Sequence, residues 1–139
     1  MPSQDASLSG MMLLMGSTIF RDDLFRGAVA IVTGGGSGIG LAIARELGRC
    51  GADVVIASRN QTRVDAAAKG LRAELGQPVL GVACDIRNRD DVDRLVAVTL
   101  ERFGRIDILV NNGGGQFFSP AQFISANGWD AVIATNLTG

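Results

Sequence analysis

An α/β fold with a doubly wound parallel sheet is predicted by three features of this 139-residue chain. Short apolar runs alternate with longer stretches of helical periodicity. A glycine-rich turn separates the first run from the first helical stretch, and the fourth run ends in another. Strands alternating with helices imply right-handed crossovers and a parallel sheet. The expected spatial order is 3-2-1-4, with a ligand crevice at the carboxyl ends of the strands near the switch point. Four βα units form only the first part of such a sheet.

Residues 1–26 read as an N-terminal extension, expected to be mobile. Met11-Met12-Leu13-Leu14-Met15 is apolar but far short of the ~20 residues that cross a bilayer. No basic segment precedes it, as a signal peptide would require. Two accounts stay open: a start assigned too far upstream, or a segment docked on an apolar groove.

Residues 27–139 read as one partial domain. Ala28–Val32 is the first buried strand, Thr33 to Gly40 the glycine turn, and Leu41 to Leu47 the first helix. Ala52–Ala57 is the second strand. The next helix carries Val64, Ala68, Leu71 and Leu75 on one face and stops at Gly76-Gln77-Pro78. Val79–Cys84 is the third strand. Asn88 can cap the third helix, and Asp90 and Asp91 suit its dipole. Its inward stripe is Val92, Leu95, Val96, Thr99 and Phe103, and Gly104 ends it. Ile106–Val110 is the fourth strand. Ser125 caps a last helix bearing Trp129, Val132, Ile133 and Asn136.

Composition narrows the function. The chain has 13 Lys and Arg against 14 Asp and Glu, a net charge of −1 with scattered signs, which argues against nucleic acid or an anionic membrane as partner. Cys50 and Cys84 are too few for a disulfide framework or a metal site. They fit a reducing compartment, expected to be the cytoplasm, or the peroxisome in a eukaryotic source. Without histidine or tyrosine, these residues hold no Ser-His-Asp triad and no tyrosine acid.

Four strand ends carry the chemistry. At the first, Thr33, Gly34, Ser37, Gly38, Ile39 and Gly40 form a strand–turn–helix phosphate motif. Its glycines let a pyrophosphate approach, and the helix start offers N–H groups and a positive dipole end. The plain alternative is a flexible glycine loop. At the second, Ser58, Arg59 and Asn60 stand where an NAD site usually has an acid for the ribose. A hydroxyl beside a guanidinium suits a 2′-phosphate instead, so NADP(H) is expected, the alternative being a solvated arginine. After the third, Asp85 can accept from an adenine amino group with Ile86 against the ring, or merely cap the turn. At the fourth, Asn111, Asn112, Gly113 and Gly114 allow close approach to a ribose and nicotinamide, and an asparagine amide can tie strand ends together.

With these residues the chain closely resembles the short-chain dehydrogenase/reductase family from Gly27 to Gly139. The carrying motifs are Thr33 to Gly40, Asp85, Asn111 to Gly114, and Asn136 in Asn136-Leu137-Thr138-Gly139. The family pattern Asn-Asn-Ala-Gly has Gly113 in place of the alanine. Within the family, Val54 to Asn60 and Asn111 to Pro120 are most similar to peroxisomal trans-2-enoyl-CoA reductases and their bacterial relatives, and less closely to 2,4-dienoyl-CoA reductases.

The resemblance implies a Rossmann-type domain and NADPH-dependent reduction of the double bond of a trans-2-enoyl-CoA. It also implies an acyl-CoA thioester as substrate and a homo-oligomer at full length. Asn136 would position a water in the proton relay, and its presence favours the enoyl over the dienoyl enzymes. Gln116, Phe117 and Phe118 would line the acyl pocket or serve as loop packing. The family's serine and Tyr-x-x-x-Lys are missing from these residues. The chain is therefore expected to be an inactive N-terminal half, poorly soluble because the fourth strand's outer edge is unpaired. The alternatives are a 2,4-dienoyl-CoA or carbonyl reductase, a non-catalytic NADP(H)-binding module, and a protein that pairs with a full-length paralogue.

Overall fold

The computed structural model describes residues 19–139. Most of the expected mobile extension, residues 1–18, lies outside the described residues. Phe25 near its end packs against the core, and its N–H donates to the Cys50 carbonyl at 2.9 Å.

Strands β1 (Val29–Thr33), β2 (Asp53–Ser58), β3 (Val79–Ala83) and β4 (Ile108–Val110) form one parallel sheet in the order β3-β2-β1-β4. Helices α1 (Gly38–Arg49), α2 (Gln61–Leu75) and α3 (Arg89–Phe103) are the crossovers. A 3-10 turn (Ala121–Phe123) leads to α4 (Ala126–Asn136). This is the Rossmann-type order, with its switch point between β1 and β4.

The alternation of side chains along a strand splits the core into two layers. Ala30, Val32, Val54 and Ile56 face α1 and α2, meeting Ala44, Val64, Ala68 and Leu71. Val29, Ile31, Val55 and Ala57 face α3 and meet Leu95. β1 is buried along its whole length because it is covered on both faces and paired on both edges.

Side-chain caps define three helix starts. The Arg63 N–H donates to Asn60 Oδ1 at 2.8 Å, Asp90 N–H to Asn88 Oδ1 at 2.9 Å, and Gly128 N–H to Ser125 Oγ at 3.1 Å. Gly76 and Gly104 take the left-handed conformation that closes α2 and α3.

Two expectations need correction. β4 starts at Ile108, not Ile106, because the Asp107 carboxylate turns back to accept the Val29 N–H at 2.8 Å. Arg105 grips the same carboxylate, and together these bonds hold its pKa below the usual range. Val96 was expected to point inward but is exposed. Leu95 and Thr99 take the buried side of α3, and Val96 turns toward an apolar groove beside β4 lined also by Ile106 and Leu109.

Candidate functional site

The carboxyl ends of the strands open on a cleft of about 640 Å³. Its lining draws on all four expected clusters: Gly34, Gly36 and Ser37; Ser58, Arg59 and Asn60; Asp85 and Ile86; and Asn112, Gly113 and Gly114. Gly38, Ile39 and Gly40 continue from Ser37 as the first residues of α1. The sheet order brings these clusters together, although more than 70 residues separate Thr33 from Asn112 (separation 79).

Thr33 proves to be a hub. It is the last residue of β1, and its hydroxyl donates to the Val110 carbonyl at 3.2 Å. The same oxygen accepts the Asn112 N–H at 3.0 Å and the Gly113 N–H at 2.8 Å. Asn112 Nδ2 returns a bond to the Thr33 carbonyl at 3.0 Å. The Thr33 hydroxyl is thus spent on the seam between β1 and β4. Thr33→Val keeps the shape and removes the oxygen, leaving the Gly113 N–H without its acceptor. The expected loss is about 1–3 kcal/mol, read as a lower urea midpoint, and Thr33→Ser should recover most of it.

The glycine turn fits around that hub. A Cβ on Gly40 would lie 2.4 Å from both Asn112 Nδ2 and the Gly34 carbonyl oxygen. A Cβ on Gly34, whose φ is +67°, would lie 2.7 Å from the same Nδ2. These two glycines make room for the Asn112 amide. Gly35 makes room for Ile56, 2.8 Å from its notional Cβ, a role the sequence analysis missed because the partner is on another strand. Gly38 is different, since its Cβ position is open. Ser37, the residue before α1, leaves its side chain off the helix N–H groups, unlike Asn60, Asn88 and Ser125. Among the described helices of the sheet, α1 alone therefore presents an uncapped start, and it does so into the cleft.

Positive charge lies beside the turn. Arg59 and Arg63 line the cleft, and among the described residues neither enters an ion pair. Gly36 keeps the turn close to this corner, with Ser58 Oγ 3.1 Å from its notional Cβ. Asn60 is in the lining, but its amide oxygen is occupied as the α2 cap. Arg63 was not foreseen; a second arginine in the first turn of the helix that follows Arg59 was the available signal.

Asp85 is bound by Arg87, which lies in the same lining. Arg87 Nε and Nη2 reach its two carboxylate oxygens at 2.9 and 2.6 Å. Chiefly through these bonds, with Arg59 adding its charge, the Asp85 pKa is lowered to about 2. A depressed carboxylate stabilises the fold fully above its unfolded pKa of about 3.9, and loses that contribution as pH falls through the folded value. The gap in urea midpoint between wild type and Asp85→Asn should therefore be widest near about pH 5 and narrow toward about pH 2. A gap that stays constant over that span would contradict the ion pair. Burial pushes the neighbouring Cys84 thiol up, with Asp91 adding to the effect, so the thiol stays protonated.

Asn136, at the end of α4, clamps the loop after β4. Its Oδ1 accepts the Gly115 N–H at 3.1 Å, and its Nδ2 donates to the Gly115 and Val132 carbonyls at 2.7 and 2.8 Å. A Cβ on Gly114 would strike Asn136 Oδ1 at 2.7 Å. Phe117 lies against Gly128 of α4, its ring Cζ 2.7 Å from the notional Cβ, while Phe118 is 99% exposed.

Fold and crevice together have the form of a Rossmann-type domain with its ligand cleft at the switch point. The chain belongs to the short chain dehydrogenase family, whose profile matches residues 28–139. It is 44% identical over 121 residues to a peroxisomal 2,4-dienoyl-CoA reductase of Danio rerio, covering 87% of this chain and 40% of that one. It is 43% identical over 122 residues to dehydrogenase/reductase SDR family member 4 of Oryctolagus cuniculus, covering 87% and 46%. Among solved structures, the citronellol catabolism dehydrogenase of Pseudomonas aeruginosa matches with a TM-score of 0.79 at 45% identity, over 86% of this chain and 48% of that one. The L-sorbose reductase of Gluconobacter frateurii, solved with NADPH and L-sorbose, matches with a TM-score of 0.79 at 35% identity, over 85% and 45%. The chain thus spans less than half the length of these relatives. Among the described residues no helix is long and apolar enough to cross a membrane.

Proposed function

We propose that these residues form the NADP(H)-binding part of a reductase acting on unsaturated acyl-CoA thioesters. The observation that carries the cofactor assignment is the pair Arg59 and Arg63, without ion-pair partners among the described residues, beside Ser58 in the cleft that the uncapped start of α1 also lines. The residues fit the group. The N–H groups at the start of α1, with Ser37, would hold the pyrophosphate. Ser58 and Arg59 would hold the 2′-phosphate, with Arg63 beside them. Asp85 and Ile86 would take the adenine. Asn112, Gly113 and Gly114 would form the floor under the nicotinamide ribose. Bound NADPH supplies a hydride.

The acyl-CoA class is supported by the family resemblance and by the names of relatives such as the Danio rerio enzyme. Those names favour a 2,4-dienoyl-CoA. The trans-2-enoyl-CoA expected from the sequence stands as the second reading, favoured by Asn136, whose clamp on Gly115 fixes the loop that would border the nicotinamide. The resemblance gives proton transfer to a Tyr-x-x-x-Lys motif, and these 139 residues hold no tyrosine, so turnover is to be tested on a protein in which this stretch is joined to that motif. Cytoplasmic or peroxisomal residence and homo-oligomer formation belong to the same reading.

The test is NADPH oxidation by that protein with 2,4-hexadienoyl-CoA, crotonyl-CoA and a simple ketone. Consumption with either thioester but not the ketone supports the reading, and the faster thioester chooses between its two forms. Activity with the ketone alone would reassign the protein to carbonyl reduction. Binding of NADPH without turnover of any of the three would leave a nucleotide-binding module.

A further inference from the structure

The turn between β3 and α3 is bonded more heavily than a helix entry requires. Asp85 Oδ1 accepts two bonds from Arg87, from its backbone N–H at 3.1 Å and from Nε at 2.9 Å. Oδ2 accepts one, from Nη2 at 2.6 Å. The Asp85 N–H is spent as well, on Asp91 Oδ2 at 2.9 Å. Asp91 is held in turn by Arg94 at 2.9 Å, and Arg94 Nη2 also reaches the Ala83 carbonyl at 2.7 Å. A carboxylate has about four lone-pair directions. Arg87 fills three of them, so one remains, on Oδ2.

That leaves a single acceptor, fixed in direction by a planar fork, on a residue lining the cleft beside the half-buried Ile86. One fixed acceptor next to an apolar surface matches a flat ring with one outward N–H, as on a 6-aminopurine. A 6-oxopurine would set its carbonyl against the carboxylate, acceptor against acceptor.

We propose that Arg87 is a positioning residue for base recognition: by occupying three of the four acceptor directions of Asp85, it makes that carboxylate a one-acceptor reader that selects an aminopurine over an oxopurine. The proposal rests on the nucleotide reading above and adds to it the residue that sets base selectivity. Arg87 need not touch the base.

The experiment compares binding of NADP+ and its hypoxanthine analogue by calorimetry, using the same protein as the turnover test above. The two probes share the 2′-phosphate and the pyrophosphate, so their affinity ratio isolates the base. Wild type should prefer NADP+ by about tenfold or more, as befits one hydrogen bond to a charged acceptor. Arg87→Ala should cut that preference to about threefold or less, and so should Arg87→Lys, which keeps the charge but cannot fork. Arg59→Ala should weaken both probes and leave their ratio intact.

Equal weakening of both probes by Arg87→Ala, with the ratio preserved, would reduce Arg87 to a clip of the turn and overturn the proposal. Tighter NADP+ binding by that variant would also overturn it, making Arg87 a competitor for Asp85. If Arg59→Ala failed to shift the NADPH-to-NADH ratio while the base ratio behaved as stated, the 2′-phosphate assignment would fall and this proposal would stand. If wild type bound neither probe, the nucleotide reading would fail and take the proposal with it.

Discussion

Gly40→Ala is expected to destabilise the protein by about 3 kcal/mol or more, although alanine is the better helix former. The added carbon would lie 2.4 Å from the Gly34 carbonyl oxygen and 2.4 Å from Asn112 Nδ2. One neighbour is backbone in a turn whose φ is already positive, and the other is tied to the Thr33 carbonyl. Neither can yield without breaking the seam between β1 and β4. Against a typical total of about 5–15 kcal/mol, the loss is a large fraction of all the stability there is. Gly70, exposed in α2, is the control because a Cβ there meets nothing within 4 Å. Gly70→Ala should stabilise by about 0.5–1 kcal/mol. Urea midpoints of the two variants should therefore move in opposite directions, and a shared sign would refute the packing argument.

Arg59→Ala carries the second large effect. A hydrogen bond to a charged group contributes about 1.5–3 kcal/mol, so NADPH affinity should fall about tenfold to a hundredfold. NADH has no 2′-phosphate and should lose little. Arg63, in the first turn of α2 and also in the lining, should hold part of the preference after Arg59 is gone. The double variant Arg59→Ala, Arg63→Ala should then bind NADPH and NADH almost equally. Titration of cofactor fluorescence at fixed ionic strength measures the ratio. An unchanged ratio in the double variant would show that these guanidinia do not read the phosphate.

Much of this was legible because the signals are local. Apolar runs separated by helical periods gave the strand order through the handedness of the crossovers. Asn88 and Ser125 announced their helices by standing just before them. Arg59 stood out because an acid is usual there. What stayed hidden lies in contacts between distant residues. Thr33 looked like part of a phosphate turn, yet its hydroxyl is committed to Asn112 and Gly113, up to 80 residues away. Gly34 and Gly40 were read as room for a ligand, and the structure uses them as room for an asparagine amide. Asn60, read toward the cofactor, has a local task as well, since its amide oxygen holds the N–H of Arg63. Val96 fitted a helical stripe, but periodicity alone cannot say how wide a surface the helix covers. The Arg87 fork depends on where a turn aims two side chains, which sequence spacing does not fix.

The seam between β1 and β4 also bears on the order of assembly. β1 pairs with β2, and β2 with β3, each across a single helix. β4 must instead return past both to reach β1, closing a span of 78 residues between Val29 and Asp107. Loop closure of that length is slow, and long-range parallel pairing comes late. A chain emerging from the ribosome can therefore settle its first three strands before β4 exists. β4 then joins through three residues, helped by the Asp107 carboxylate at one end and the Thr33 hydroxyl at the other. The amides of β4 and of the loop it feeds should be the first in the sheet to exchange with deuterated solvent, which makes this seam the last part of the sheet to form and the first to open.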